Sequence, residues 1–186
     1  MLSSRQPKVG TTKIVGIDGH GGSGKSTLAE LLAHELHAEI VHTDDFASWD
    51  NPKNWWPQLI ERVLKPVAVG VKALNYPRSS WWPDHHPEPV VEQPVTEILI
   101  LEGVSALRAE FRKYLTFGVF ITAPIELCLE RGVTRDADQG TKEEILKKWQ
   151  QWYKDEESYI QRDDPESFAD IVLDGTQPFQ DQIRLS

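Results

Sequence analysis

An α/β fold of three layers is what this sequence predicts: a five-stranded, mostly parallel sheet with helices on both faces and a small lid. Three observations carry the prediction. Short apolar runs alternate with stretches of helical apolar spacing, the order of β-α repeats around a parallel sheet. The stretch Gly19–Thr27 reads GHGGSGKST and satisfies G-x-x-x-x-G-K-[ST] in full. Two apolar runs lead into acidic residues, Asp44-Asp45 and Glu102, at the carboxyl ends of strands, where ligands bind in open α/β sheets.

The first element is Ile14-Val15-Gly16-Ile17, a buried parallel strand over about residues 13–18. The glycine loop follows. A polyphosphate is held by backbone N–H groups that converge, and such a nest needs backbone conformations that glycine adopts at least cost. Gly19, Gly21, Gly22 and Gly24 supply that freedom, with His20 and Ser23 between them and Thr27 closing the motif. Lys25 can reach the β- and γ-phosphates, and the Ser26 hydroxyl can bind Mg²⁺. Leu28, Leu31, Leu32 and Leu36 then follow helical spacing, so a helix over about 25–37 adds the positive end of its dipole. Strand, glycine loop and helix together make this a P-loop, and the fold that of a P-loop NTPase. The ligands it implies are a nucleoside triphosphate and Mg²⁺.

Bulk properties narrow the function. A chain of 186 residues suits one domain, 1–186. Net charge is −9, which argues against nucleic acid or an anionic membrane as partner, since both call for a basic face. No run approaches the length of a membrane helix, and the polar tail 1–12 lacks the apolar region of a signal peptide, so a cytoplasmic location is expected. The single cysteine, Cys128, reads as a packing residue. Of seven tryptophans, Trp49, Trp55, Trp56, Trp81 and Trp82 lie in proline-rich polar stretches, where an indole suits stacking on a flat ligand.

The remaining elements come in order. Glu39-Ile40-Val41-His42 reads as the second strand, ending in Thr43-Asp44-Asp45-Phe46. A loop over 47–58 leads to a helix opened by Pro57 and running through Leu64. Residues 66–96 hold six prolines and read as an excursion with short strands near 67–74 and 90–92, the wall of an acceptor site. Asp84-His85-His86 within it lacks further ligands at metal-binding spacing. Ile98-Leu99-Ile100-Leu101 is the strongest strand, and Glu102 at its end is placed as a Walker-B-like acid near Mg²⁺. A short helix over about 105–114 leads to a strand at Phe117–Ile121, and a helix over 124–133 follows. Arg131 and Arg135 then open a lid over 131–142, because guanidinium forks match phosphate oxygens. A long helix over 141–160 buries Trp149, Trp152 and Tyr153, with Asp155-Glu156-Glu157 as a solvated face. Ala169–Leu173 is the fifth strand.

In their order, GHGGSGKST, TDDF, ILILEG, RGVTRD and ADIVLDG resemble the uridine kinase and phosphoribulokinase group of P-loop kinases, over about residues 13–176. The resemblance implies ATP- and Mg²⁺-dependent transfer of a phosphoryl group to a hydroxyl of a small molecule, foremost a nucleoside such as uridine or cytidine. It implies Asp44 as general base and Mg²⁺ neighbour, Glu102 as Mg²⁺ ligand beside Ser26, and Lys25, Arg131 and Arg135 on the phosphates. Trp49-Asp50 matches the aromatic-acid pair that holds the ribose, and Tyr76 the tyrosine of the acceptor wall. With Asp45, Arg78 and Trp82 these make the expected acceptor pocket. The chain departs from the group at Tyr76-Pro77-Arg78, where the group has Tyr-Asp-Phe, in the short segment between Asp44 and Asp50, and in a lid reading Ala137-Asp138-Gln139-Gly140. Nicotinamide riboside, a nucleoside monophosphate or a sugar phosphate stay open as acceptors, as do Asp45 as the base, a homo-oligomer, and a nucleotide switch that phosphorylates nothing.

Overall fold

The computed structural model describes residues 2–48, 51, 54–79 and 89–183. Its centre is a sheet of five parallel strands in the order β2-β5-β1-β6-β7, formed by β1 (Lys13–Gly19), β2 (Glu39–His42), β5 (Ile98–Glu102), β6 (Leu115–Thr122) and β7 (Ile171–Asp174). β3 (Ala73–Pro77) and β4 (Val90–Pro94) form a separate antiparallel ribbon.

Side chains alternate along a strand, so a run buried on both faces feeds two cores. Ile14, Val41, Leu99, Leu101 and Phe120 face one way, against Phe46, Trp55, Leu59, Leu64, Tyr76 and Phe111. Val15, Ile17, Ile100, Val119 and Ile121 face the other, against Leu28, Ala29 and Leu32 of α1 (Lys25–Leu36) and against Phe179 of α7 (Phe179–Gln182). A third cluster joins Cys128 of α4 (Ile125–Arg135) to Ile145, Trp149 and Tyr153 of α5 (Lys142–Asp163), which confirms Cys128 as packing. Thr141 and Glu144 form a reciprocal capping box that fixes where α5 starts.

Several expectations are corrected. The excursion does not begin as a strand: α2 (Trp56–Leu59) runs through a π turn at Ile60–Leu64 into α3 (Lys65–Ala68), and the ribbon starts only at Ala73. Pro66 has no N–H to return to the preceding turn, and the wider π turn just before it absorbs the mismatch. The helix over 105–114 is instead a chain of tight turns. Ser105 is left-handed at φ 70°, which a helix does not accept; Asp18 takes the N–H of Ser105 and Leu107, and Asp163 takes the Ala109 N–H that a helix would direct to the Ser105 carbonyl. The tail is stitched down, with Arg5 2.7 Å from Asp170 and stacked over Phe117. α6 (Pro165–Phe168) and α7 had no counterpart in the sequence reading.

Register places the functional ends together. Ile17 pairs with Glu102, His42 with Glu102, and Gly19 with Ile121, so the strand ends form one rim.

Candidate active site

The rim opens into a cleft of about 1100 Å³ whose walls include the P-loop, the ends of β2 and β5, the lid and one face of α5. At its floor the glycine loop is set by close approach. At Gly22, φ is 81° and a Cβ would lie 2.3 Å from the Cys128 carbonyl oxygen. At Gly19, φ is 142° and a Cβ would lie 2.4 Å from the Ile121 carbonyl oxygen. No larger residue fits either place. Gly24 caps α1 without a side-chain hydrogen bond, leaving the N–H groups of its first turn to an anion. Lys25 Nζ donates to the His20 carbonyl at 2.8 Å, its charge held against the loop. Thr27 lines the same cleft. Ser23 is fully buried, and its Oγ has no partner among the described residues.

Beside the loop, Ser26 Oγ donates to Glu102 Oε1 at 3.2 Å, and His42 Nδ1 lies 2.7 Å from Glu102 Oε2. Burial works to raise the Glu102 pKa, but the bond from His42 and the Lys25 charge outweigh it, and the carboxyl sits below its usual range. The Glu102 bond raises the His42 pKa against its own burial. Asp44 is open to the cleft and makes no hydrogen bond among the described residues. Desolvation by the cleft walls pushes its pKa up; Lys25 opposes this and Glu102 adds to it. Among the described residues no group of three or more His, Cys, Asp and Glu could hold a metal. Ser26 and Glu102 fit the sparser protein ligation of Mg²⁺, which relies on waters and substrate phosphates for the rest.

The acidic pair divides in two. Asp45 is buried, taking Arg78 Nε at 2.6 Å and the Tyr76 hydroxyl at 3.2 Å. Tyr76 is 1% exposed and stacks on Phe46, so it supports Asp45 from within the core instead of facing the cleft. Arg78 does line the cleft. So does Arg108, which sequence reasoning passed over; its guanidinium lies 4.8 Å from the Trp56 ring centre, with Nε 3.0 Å from Glu110. Trp49, Asp50 and Trp82 lie outside the described residues.

At the lid, Arg131 Nη1 donates to the carbonyls of Gly22 (3.3 Å) and Gly175 (3.1 Å). Arg135 pairs with Asp136 at 2.8 Å and stacks over Trp149. Both arginines line the cleft. The acidic run of α5 is not all solvated: Glu156 is buried and bound to His20 and Gly21. Its spacing from Trp149 and Tyr153, seven and three residues, is the signal that would have found it. Asp18 was also missed. Wholly buried, it accepts from Gly19 N (2.7 Å), Ser105 N (3.1 Å), Leu107 N (2.7 Å) and the Tyr159 hydroxyl (2.6 Å). Burial raises its pKa, and the bonds from Tyr159, Leu107 and Gly19 act against that.

No protein-family model matches the chain. It is similar to the uridine kinase of Tolumonas auensis, 27% identical over 86% of this chain and 85% of the relative. It is 28% identical to the uridine kinase of Vibrio cholerae serotype O1 over the same shares. Among solved structures it matches that of a "possible uridine kinase" from Bacillus stearothermophilus, with TM-score 0.63, 22% identity, and coverage of 89% of this chain and 90% of the other. The resemblance to uridine kinases and the P-loop α/β fold read from the sequence are both borne out.

Proposed function

We propose that this protein is an ATP- and Mg²⁺-dependent small-molecule kinase whose acceptor is a nucleoside hydroxyl, uridine or cytidine first. One observation carries the reading: a single cleft joins a P-loop, a Ser26–Glu102 pair, Arg78 and a carboxylate with no hydrogen bond among the described residues, Asp44. The similarity to uridine kinases supports the acceptor class.

The reaction is an in-line displacement. The acceptor oxygen forms a bond to the γ-phosphorus as the bond to the ADP oxygen breaks, and the hydroxyl proton passes to Asp44. Lys25, Arg131 and Arg135 hold the oxygens on which charge develops, and positioning with fixed charge provides most of the rate. Ser26 and Glu102 would hold Mg²⁺, with His42 orienting Glu102. When bound, the ion neutralises charge on the phosphates. The raised Asp44 pKa suits a group that must accept a proton. No helix among the described residues is long and apolar enough to cross a membrane, and a kinase drawing on ATP belongs in the cytoplasm.

Arg78 and Arg108 favour a second reading in which the acceptor carries an anionic group, as nucleoside monophosphates and sugar phosphates do. One screen separates these and the nucleotide switch: ADP release from ATP with uridine, cytidine, nicotinamide riboside, nucleoside monophosphates or sugar phosphates. Stimulation by neutral nucleosides supports the first reading and stimulation only by phosphorylated acceptors the second. Slow hydrolysis indifferent to every alcohol refutes a kinase.

A further inference from the structure

One stripe of α5 grips the phosphate loop through side chains that no step of the proposed reaction uses. Gly21 has both of its backbone polar groups taken by this helix. Its N–H donates to Glu156, 3.2 Å from Oε2 and 3.3 Å from Oε1, and its carbonyl accepts from the Tyr153 hydroxyl at 2.6 Å. The same carboxylate lies 2.9 Å from His20 Nδ1. A Cβ on Gly21 would lie 2.7 Å from the Trp149 ring. Residues 149, 153 and 156 are four and three apart, so they share one helix face. In the other direction Trp149 Nε1 donates to Asp136 at 2.9 Å, and Asp136 holds Arg135. The stripe thus ties the phosphate loop to the end of the lid helix.

A buried carboxylate beside a polyphosphate site is electrostatically adverse to the ligand, and burying it also costs solvation. Its contacts show what it does instead. Gly21 is the kind of residue about which a loop rotates most freely, and the peptide planes on either side of it set where the neighbouring N–H groups point. Holding its N–H and its carbonyl at once removes that rotation. We propose that Glu156, together with Tyr153, is a positioning residue that holds the phosphate loop in its anion-receiving shape and makes nucleotide affinity depend on the helix joined to the lid. The inference rests on nucleotide binding at the P-loop, the part of the proposed function it deepens.

The test is calorimetric titration of the full chain with ATP and with ADP, beside a melting curve for each variant. Glu156→Ala should raise both Kd values by roughly 10-fold or more, the usual effect of removing a group that orients a binding one. Glu156→Gln should recover part of the loss, because its Oε1 still accepts from Gly21. Tyr153→Phe, which removes the bond to the Gly21 carbonyl together with the hydroxyl's contact to the Cys128 thiol, should raise Kd by less and reports on the clasp even if Glu156→Ala does not fold. Glu157→Gln, on the exposed face and bonded to Gln161, should match wild type. A lower melting temperature with Kd unchanged in the folded Glu156 and Tyr153 variants would mark a merely structural role and overturn the proposal. So would tighter ATP binding by Glu156→Ala, which would make the carboxylate a stand-in anion that ATP displaces. If wild type binds neither nucleotide, the kinase reading falls and the inference with it. If wild type binds and the variants bind alike, only the inference falls.

Discussion

Asp45→Ala separates architecture from chemistry within the acidic pair. The carboxylate accepts from Arg78 on one oxygen and from the Tyr76 hydroxyl on the other. Tyr76 is 1% exposed, its ring stacked on Phe46 with centroids 4.9 Å apart, so its hydroxyl has no water to turn to. Burial and the Asp45 charge push the Tyr76 pKa further up, keeping the hydroxyl a donor at every working pH. Removing the acceptor strands that donor at a cost of about 1–3 kcal/mol. The Arg78 pair adds less, because the Arg78 side chain is 49% exposed and pairs of that kind contribute about 0–1 kcal/mol. The sum, about 1–4 kcal/mol, should lower the melting temperature by about 2–16 °C in a domain of this size. Thermal and urea denaturation read it directly. A Tyr76→Phe background removes the stranded donor, so Asp45→Ala should cost clearly less there. An equal cost in both backgrounds would refute the assignment of the loss to the buried hydroxyl. In steady-state kinetics the freed Arg78 should raise the acceptor KM with a far smaller loss of kcat than a change at Asp44 produces.

Two further outcomes follow from neighbouring carboxylates. Asp44→Asn should lower kcat by roughly 10²–10⁴-fold while the melting temperature stays at or above wild type, because no hydrogen bond among the described residues is lost; near-normal turnover, with Asp45→Asn inactive instead, would move the base by one residue. Asp18→Ala strands three buried N–H groups and the Tyr159 hydroxyl, and urea denaturation should register a loss of about 3–5 kcal/mol, or no soluble protein at all.

The parts of the site legible in the sequence are those whose geometry is local. The P-loop is one continuous segment, so its spacing alone fixes what the backbone must do. Glu102 was legible because it ends an uninterrupted apolar run, which sets its place at the strand terminus. Asp18 was hidden by that same logic. It sits inside a buried strand, and its donors come from residues 87 to 141 positions away in addition to its neighbour Gly19. The missing helix at 105–114 is a like case: Ser105 is left-handed, and the distant Asp163 takes the Ala109 N–H that would have continued the helix. Glu156 was misread because three acids in a row look like a solvated face, whereas helix geometry turns only one of the three inward. At the acceptor end, Tyr76 was placed on the acceptor wall by its match to the tyrosine of the uridine kinase group. The alternation of β3 instead points it into the core, with Leu74.

In the proposed reaction this cleft passes the γ-phosphoryl of ATP to an acceptor hydroxyl, whose proton goes to Asp44. The most direct measurement follows a γ-labelled ATP in the presence of Mg²⁺ and uridine or cytidine, with wild type and Asp44→Asn side by side. Wild type should place label in a nucleotide product, formed faster than labelled inorganic phosphate, and Asp44→Asn should lose that product while ATP still binds. Label appearing only as inorganic phosphate, at a rate no nucleoside or other alcohol alters, would contradict the proposed reaction.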